Sequence, residues 1–277
     1  VTAVLLLFFL IVSCLGGEAQ AARRRHSKKK AGPFQLSARS ALLVDSKNLK
    51  VLYSKSSTRP VLPASTTKVM TAIVVLEKKK LDDVVTVSAR AAAVVPSKID
   101  IKAGERYTVR DLLYAALLKS ANDASIALAE AVAGSEDKFV DMMNARARKA
   151  GAKHTLFANS HGLPSQDDPQ YTTAHDMALL LREGLKKPFF REAIRKRFWT
   201  IYSKDGRKIN LRSHNQALFK GWKRDIFGKT GYTRAARACF VGAVEKNGRQ
   251  LIIAVFGCSS RWDDVKYIIE KHAGIDL

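Results

Sequence analysis

The apolar positions follow two patterns. Near both ends they form short runs of strand length, and through the middle they recur every three or four residues, as on one face of a helix. Ala41–Val44 and Val51–Tyr53 read as strands, and Ser46-Lys47-Asn48 between them makes a hairpin turn. Pro60 and Pro63 break the chain. A helix is predicted from about Ser65 to Lys79, with Val69, Ile73 and Leu76 at helical spacing and Val74 and Val75 widening the face. Thr108 with Asp111 gives a capping-box-like start to a helix running to Leu118. Further helices are predicted over about Asp123–Ala133, from Ser135 to near Gly151, and from the Thr173/Asp176 cap to about Leu185. Strands then return as two hairpins. Phe198–Tyr202 and Lys208–Leu211 flank Lys204-Asp205-Gly206, and Ala238–Glu245 and Leu251–Gly257 flank Lys246-Asn247-Gly248. A last helix covers about Trp262–His272. Strands at both ends with helices between them predict an α+β fold. One antiparallel sheet is built from both ends and flanked by helices, with a mostly helical subdomain inserted at about 80–165. A cleft between the two parts is the expected place for a site.

The first residues depart from this pattern. Val4–Leu15 is almost wholly apolar, has the length of a signal-peptide core rather than a membrane span, and is followed by Ala19-Gln20-Ala21 at cleavage distance. Residues 1–21 are therefore read as an export leader, with a lipoprotein leader ending at Cys14 as the alternative. Residues 22–36 are read as a basic disordered arm, and 37–277 as the folded domain. The chain of 277 residues carries a formal net charge of +23, which favours anionic partners. Arg23, Arg24, Arg25, Lys28, Lys29 and Lys30 concentrate part of it in the arm, where contact with an anionic cell wall or membrane surface is expected. Lys78-Lys79-Lys80 and Lys186-Lys187 look like solvated helix ends without interleaved aromatic rings, so no specific nucleic-acid partner is expected. The three cysteines have no metal spacing, and the six histidines include no HExxH pair, so a zinc enzyme has little support. Cys239 and Cys258 lie on neighbouring apolar runs and are read as buried free thiols, with a disulfide as the alternative that export permits.

Chemistry enters with three short motifs. Ser65-Thr66-Thr67-Lys68 places a hydroxyl and an amine one helical turn apart. Such a hydroxyl becomes a nucleophile when desolvation or a second cation lowers the lysine pKa enough for the amine to take its proton. Ser27 and Ser135 also begin an S-x-x-K pattern, but Ser27 lies in the arm and Ser135 reads as an ordinary helix cap. Ser120-Ala121-Asn122 sits in the link between two helices, where it can offer a hydroxyl and an amide to a cleft or simply cap the next helix. Lys229-Thr230-Gly231 precedes a strand-forming segment and suits a carboxylate approached closely by backbone. The order S-x-x-K, S-x-N, K-T-G is far more specific than any one motif, and is known from class A β-lactamases and penicillin-binding proteins.

With these motifs the chain resembles the low-molecular-weight penicillin-binding proteins, D-alanyl-D-alanine carboxypeptidases of the peptidase S11 type. The resemblance runs from about Ser37 onward. It includes Pro63–Lys68, Leu117–Ala124, Asn159–Leu163 with Tyr171–Ala178, and Gly228–Thr233. It implies a β-lactamase/penicillin-binding transpeptidase-like fold and a serine D,D-carboxypeptidase that removes the terminal D-Ala from peptidoglycan stem peptides. Ser65 would be acylated, Lys68 would be the base helped toward neutrality by Lys229, and Ser120 would relay a proton to the leaving amine. Asn122 would bind the substrate backbone, Lys229 and Thr230 the terminal carboxylate. Gly231 would admit close approach, and the N–H groups of Ser65 and Tyr232 would form the oxyanion hole. Arg261 is a further carboxylate-binding candidate on a looser local match, and His161 is read as structural. The resemblance also implies no metal or organic cofactor, inhibition by β-lactam antibiotics, a monomer, and a place in the periplasm or at the outer face of the cytoplasmic membrane or cell wall. Two rival activities share the chemistry. A D,D-endopeptidase would use the same residues. A β-lactamase would need a glutamate for deacylation, whereas the expected loop offers only Asp167 and Asp168 and no E-x-x-x-N segment.

Overall fold

In the computed structural model, residues 34–165 and 168–277 are described. The predicted leader, the cationic run of the arm and Asp167 lie outside the described residues. From the N-terminal side, strands β1 (Ser40–Asp45) and β2 (Val51–Lys55) form the first hairpin, and helix α1 covers Lys68–Lys78. The inserted part holds β3 (Val84–Thr86), α2 (Ala89–Ala93), β4 (Arg106–Thr108), α3 (Val109–Tyr114), α4 (Asn122–Ala133) and α5 (Glu136–Lys149). Then come α6 (Ala174–Leu185), α7 (Pro188–Ala193), β5 (Phe198–Tyr202), β6 (Lys208–Arg212), β7 (Phe227–Thr233), β8 (Arg237–Lys246), β9 (Arg249–Cys258) and α8 (Arg261–Ala273). Gln35–Leu277 pack as one unit.

The main sheet runs β2-β1-β9-β8-β7, antiparallel throughout, so the first hairpin pairs with the last strands of the chain. Its strands are covered on both sides. Leu42, Val44, Val241, Ala243, Ile252, Ala254 and Phe256 point into the core shared with α1 and α6. Their alternates Ala41, Leu43, Phe240, Val244, Leu251, Ile253 and Val255 pack with Trp262, Val265, Ile268 and Ile269 of α8. Burial of both faces is why β8 and β9 read as continuous apolar runs instead of alternating ones. Cys239 and Cys258 fall in different clusters and are free buried thiols.

The expected helix caps are present. Thr108, Ser135 and Thr173 each accept through the side-chain oxygen from the backbone N–H three residues on. Three expectations need correction. The helix expected from Ser65 begins instead at Lys68, and Ala64–Thr67 forms a 3-10 turn. There the Thr66 hydroxyl donates to the Pro63 carbonyl at 2.6 Å, the local side-chain competition that disfavours a regular first turn. The helix expected to reach Leu118 is α-helical only to Tyr114. It widens to a π turn over Ala115–Lys119 and stops at Ser120, whose φ of 61° is left-handed. The β5–β6 hairpin is a separate two-stranded sheet and not part of the main one, because its apolar side packs on the inserted helices, with Trp199 stacked on Tyr114 at 4.2 Å. Short elements such as β3, β4, α2 and α7 went unpredicted because none is long enough to set a period.

Candidate active site

Ser65 lies in the 3-10 turn and Lys68 is the first residue of α1, with its side chain fully buried. The Lys68 amine has three neighbours: Ser65 Oγ at 3.2 Å, Asn122 Oδ1 at 2.7 Å and the His161 carbonyl at 2.8 Å. A neutral amine has two N–H bonds and one lone pair. Once neutral, with its N–H groups given to Asn122 and His161, the amine turns its lone pair to the Ser65 hydroxyl. Burial, and then the charge of Lys229, hold the Lys68 pKa well below its usual value against the opposing pull of Asp123 and Glu136.

The rest of the site converges on this pair. Asn122 spends its side chain on the Val95 carbonyl (3.0 Å) and on Lys68, and so does more than cap the helix it begins. The left-handed turn at Ser120 ends the π turn and brings its hydroxyl to the amine of Lys229, which donates to it at 2.8 Å and to the Thr230 carbonyl at 2.9 Å. Lys229 is also buried. Desolvation, and then the Arg261 charge, push its pKa down to about 7. Strand β7 runs tight against the Ser65 turn: a Cβ at Gly231 would stand 3.1 Å from the Ser65 nitrogen and 3.2 Å from the Pro63 carbonyl oxygen. A side chain there would push β7 and the Ser65 turn apart by a few tenths of an ångström.

Ser65, Ser97, Ser120, His214, Thr230, Gly231, Tyr232 and Arg261 line one open cleft of about 230 Å³. The structure thus brings Ser65, Ser120, Thr230, Gly231, Tyr232 and Arg261 to the cleft wall, and sets Lys68, Asn122 and Lys229 behind it. The Arg261 guanidinium is held by the carbonyls of Gly231 (3.1 Å) and Cys239 (2.8 Å) and by the ring of Trp262. It offers the cleft a fixed positive charge. The His161 imidazole is kept neutral, its pKa pushed down to about 3 by burial and then by the Lys68 charge; its carbonyl is what touches Lys68.

Two cleft residues and one support were missed from sequence. Ser97 belongs to no motif. His214 lies in Ser213-His214-Asn215, a third S-x-N match just upstream of Lys229, and that proximity was the available signal. Burial, followed by Lys229 and other cations, pushes the His214 pKa down to about 4. Glu136 was read only as a first-turn acid, yet it is buried. It accepts from the Ser160 N–H at 2.9 Å and from the Ser160 hydroxyl at 2.5 Å, and pairs with Arg90 at 2.8 Å. It thereby anchors the turn that presents the His161 carbonyl to Lys68.

A sheet of this order, with helices on both faces and a serine–lysine pair at its edge, defines a penicillin-binding, DD-transpeptidase-like fold. The structure superposes on a penicillin-binding protein homologue from Mycobacterium tuberculosis with a TM-score of 0.82 and 29% identity, covering 90% of this chain and 96% of that one. It matches a variant of the Streptomyces K15 DD-transpeptidase with a TM-score of 0.82 and 25% identity, over 88% of this chain and 100% of that one. In sequence it is 34% identical to the D-alanyl-D-alanine carboxypeptidase DacF of Bacillus subtilis over 87% of this chain. The chain spans 63% of that relative's length, and 72% of the length of DacB2 of Mycobacterium tuberculosis, to which it is 33% identical. Residues 26–260 match the family model described as D-alanyl-D-alanine carboxypeptidase, and the chain belongs to this peptidase S11 family.

Proposed function

We propose that the protein is an exported serine D,D-carboxypeptidase that removes the terminal D-Ala from peptidoglycan stem peptides through an acyl-enzyme on Ser65. The observation that carries this reading is the buried Lys68 amine, 3.2 Å from Ser65 Oγ and held in place by Asn122 Oδ1 and the His161 carbonyl. Ser65 Oγ attacks the carbonyl of the penultimate D-Ala while its proton passes to Lys68. The oxyanion is received by the backbone N–H groups of Ser65 and Tyr232, worth about 3 kcal/mol per donor. Ser120, bonded to Lys229, delivers a proton to the departing amine as the C–N bond breaks and takes the Lys68 proton in exchange, leaving Lys68 neutral. Free D-Ala leaves; water then adds to the ester, its proton passing to Lys68 and on to Ser65 as the ester C–O bond breaks. Lys229, Thr230 and Arg261 supply the cationic and hydroxyl contacts for the terminal carboxylate, and Asn122 the amide for the substrate backbone.

β-Lactams acylate the same hydroxyl in this reading. The described residues lining the cleft include no glutamate of the kind that speeds deacylation in a class A β-lactamase, so the β-lactam adduct is expected to outlast the peptide acyl-enzyme. Intact mass after penicillin treatment, with mapping of the modified peptide, tests the nucleophile: Ser65 carries the adduct and Ser65→Ala carries none. Labelling that survives Ser65→Ala, or rapid turnover of the penicillin, refutes the assignment. A second reading, D,D-endopeptidase, is favoured by one relative: the chain is 32% identical over 76% of its length to the D-alanyl-D-alanine endopeptidase of Pseudomonas aeruginosa. Digesting pentapeptides and cross-linked muropeptides side by side separates the two activities.

A further inference from the structure

Beyond the cleft, the β5–β6 hairpin has an unpartnered side. Its inward residues Trp199, Ile201, Ile209 and Leu211 join the main core. Its outward residues are Phe198, Thr200 and Tyr202, paired in register with Arg212, Asn210 and Lys208. One aromatic ring therefore stands at each end of a flat polar strip, each beside a cation. Phe198 is 60% exposed and Tyr202 53% exposed. Phe219 extends the strip: it meets Phe198 edge-on at 5.5 Å, and the Arg212 guanidinium lies 4.2 Å above its ring. Lys220 and Trp222 follow, in cation–π contact at 5.7 Å.

The charge here is one-sided. Between Glu192 and Asp225 the chain has ten Lys and Arg residues and a single acid, Asp205. Asp205 is paired with Arg106, and Asp225 with Arg197. Among the described residues, Lys208, Arg212, Lys220 and Lys223 have no ion-pair partner. Like-charged neighbours with no acid among them weaken one another and call for an external anion.

We infer that this face, Phe198, Tyr202, Lys208, Arg212 and the adjoining Phe219–Lys223, docks the folded domain on an anionic lipid bilayer. Cations alone fit any polyanion, but a soluble polyanion would leave Phe198 and Tyr202 in water. A bilayer interface satisfies both groups at once, with phosphate headgroups for the cations and the headgroup–acyl boundary for the rings. No helix among the described residues is long and apolar enough to cross a membrane, and the face needs none. It adjoins the cleft: Arg212 is followed by Ser213 and His214, and His214 lines the cleft wall. Docking therefore holds the cleft beside the headgroups. The inference does not depend on the catalytic assignment.

The test is co-sedimentation of the full chain with vesicles of phosphatidylcholine alone and of phosphatidylcholine mixed with phosphatidylglycerol. It is repeated in a background with Arg23, Arg24, Arg25, Lys28, Lys29 and Lys30 changed to Gln, which removes the arm's contribution. We expect the arm-neutralised chain to bind phosphatidylglycerol vesicles at least about tenfold more tightly than zwitterionic ones. Phe198→Ser with Tyr202→Ser, and separately Lys208→Glu with Arg212→Glu, should each weaken that binding about tenfold without changing the melting temperature. In case the paired variants do not fold, Tyr202→Cys carrying an environment-sensitive dye should shift to the blue only with phosphatidylglycerol vesicles. Three results overturn the proposal: no preference for the anionic vesicles, binding indifferent to the two aromatic changes, or a dye that stays water-like on bound vesicles. Indifference to the aromatic changes together with strong binding to soluble polyphosphate would assign the face to a soluble polyanion instead.

Discussion

Gly162→Ala tests whether the turn that carries His161 sets the position of the nucleophile. Gly162 has φ of 87°, and a Cβ there would stand 1.9 Å from the Ala64 carbonyl oxygen, 2.5 Å from its carbon and 2.7 Å from Thr67 Oγ1. Non-bonded heavy atoms need about 3.5 Å, so the two turns must separate by roughly 1.5 Å. Neither yields easily. Ala64 is buried, and the Asn159 side chain accepts from the N–H groups of both His161 and Gly162, at 3.2 and 2.6 Å. The left-handed conformation adds about 1–2 kcal/mol for a residue with a Cβ, and the overpacking about 1–3 kcal/mol. The displacement falls on Ser65, next to Ala64, and on the His161 carbonyl that holds Lys68. A misplacement of about 1 Å costs on the order of 10²-fold in rate. Gly134→Ala is the matched control, since Gly134 has φ of 79° with nothing within 4 Å of the added Cβ. The assay is the second-order rate of acylation by a fluorescent penicillin, with melting temperature alongside. Gly134→Ala should lose only stability, about 1–2 kcal/mol; Gly162→Ala should lose stability and about 10²-fold in acylation. A Gly162→Ala protein that acylates within about threefold of wild type refutes the coupling of the two turns.

Burial depresses the Lys229 pKa from its ordinary 10.5 to about 7, so between those values the unfolded chain binds more protons than the folded one and stability rises with pH. Lys229→Met should therefore lose acylation while raising the melting temperature, by most below pH 7 and by progressively less toward pH 10; a pH-independent gain contradicts this. Glu136→Gln keeps an acceptor for Ser160 but deletes a charge that supports protonation of Lys68, so the acid limb of kcat/KM should move to lower pH, and an unmoved limb would reduce Glu136 to scaffolding. Burial pushes the Cys239 thiol up to about 11 and the Cys258 thiol up as well, so both should resist iodoacetamide in the native protein at pH 8 and react on unfolding; rapid native labelling would contradict their packing.

What the sequence made legible follows from period and from spacing. The long helices and the β8–β9 hairpin were visible because their apolar positions repeat, and Ser65, Ser120 and Lys229 because their motifs keep a fixed order. Contacts made across the fold left no such trace. The Lys68 amine meets the His161 carbonyl across 93 residues, and a carbonyl has no side-chain identity to read. Glu136 looked like any acid in a first turn, because its neighbours Arg90 and Ser160 come from other elements. Ser97 and His214 reach the cleft through loops whose path no periodicity fixes.

The local mispredictions cluster for a physical reason. Ala64 and Ser120 both have positive φ, at 45° and 61°, and neither is glycine. Two lysines are buried, one beside each of these residues' turns. Each feature alone opposes folding: a left-handed residue with a side chain costs about 1–2 kcal/mol, and a buried amine must give up its proton or its hydration. The 3-10 turn at Ala64 sets Ser65 where the lone pair of Lys68 can reach it. The π turn closing at Ser120 sets a second hydroxyl against Lys229. A regular helix at either place would satisfy the local sequence better and would carry these hydroxyls away from their amines. The places where propensity failed are thus the places where the surrounding core, not the local chain, holds the geometry. Stabilising substitutions that regularise either turn should cost acylation in proportion, because the strain and the reactive arrangement are one structure.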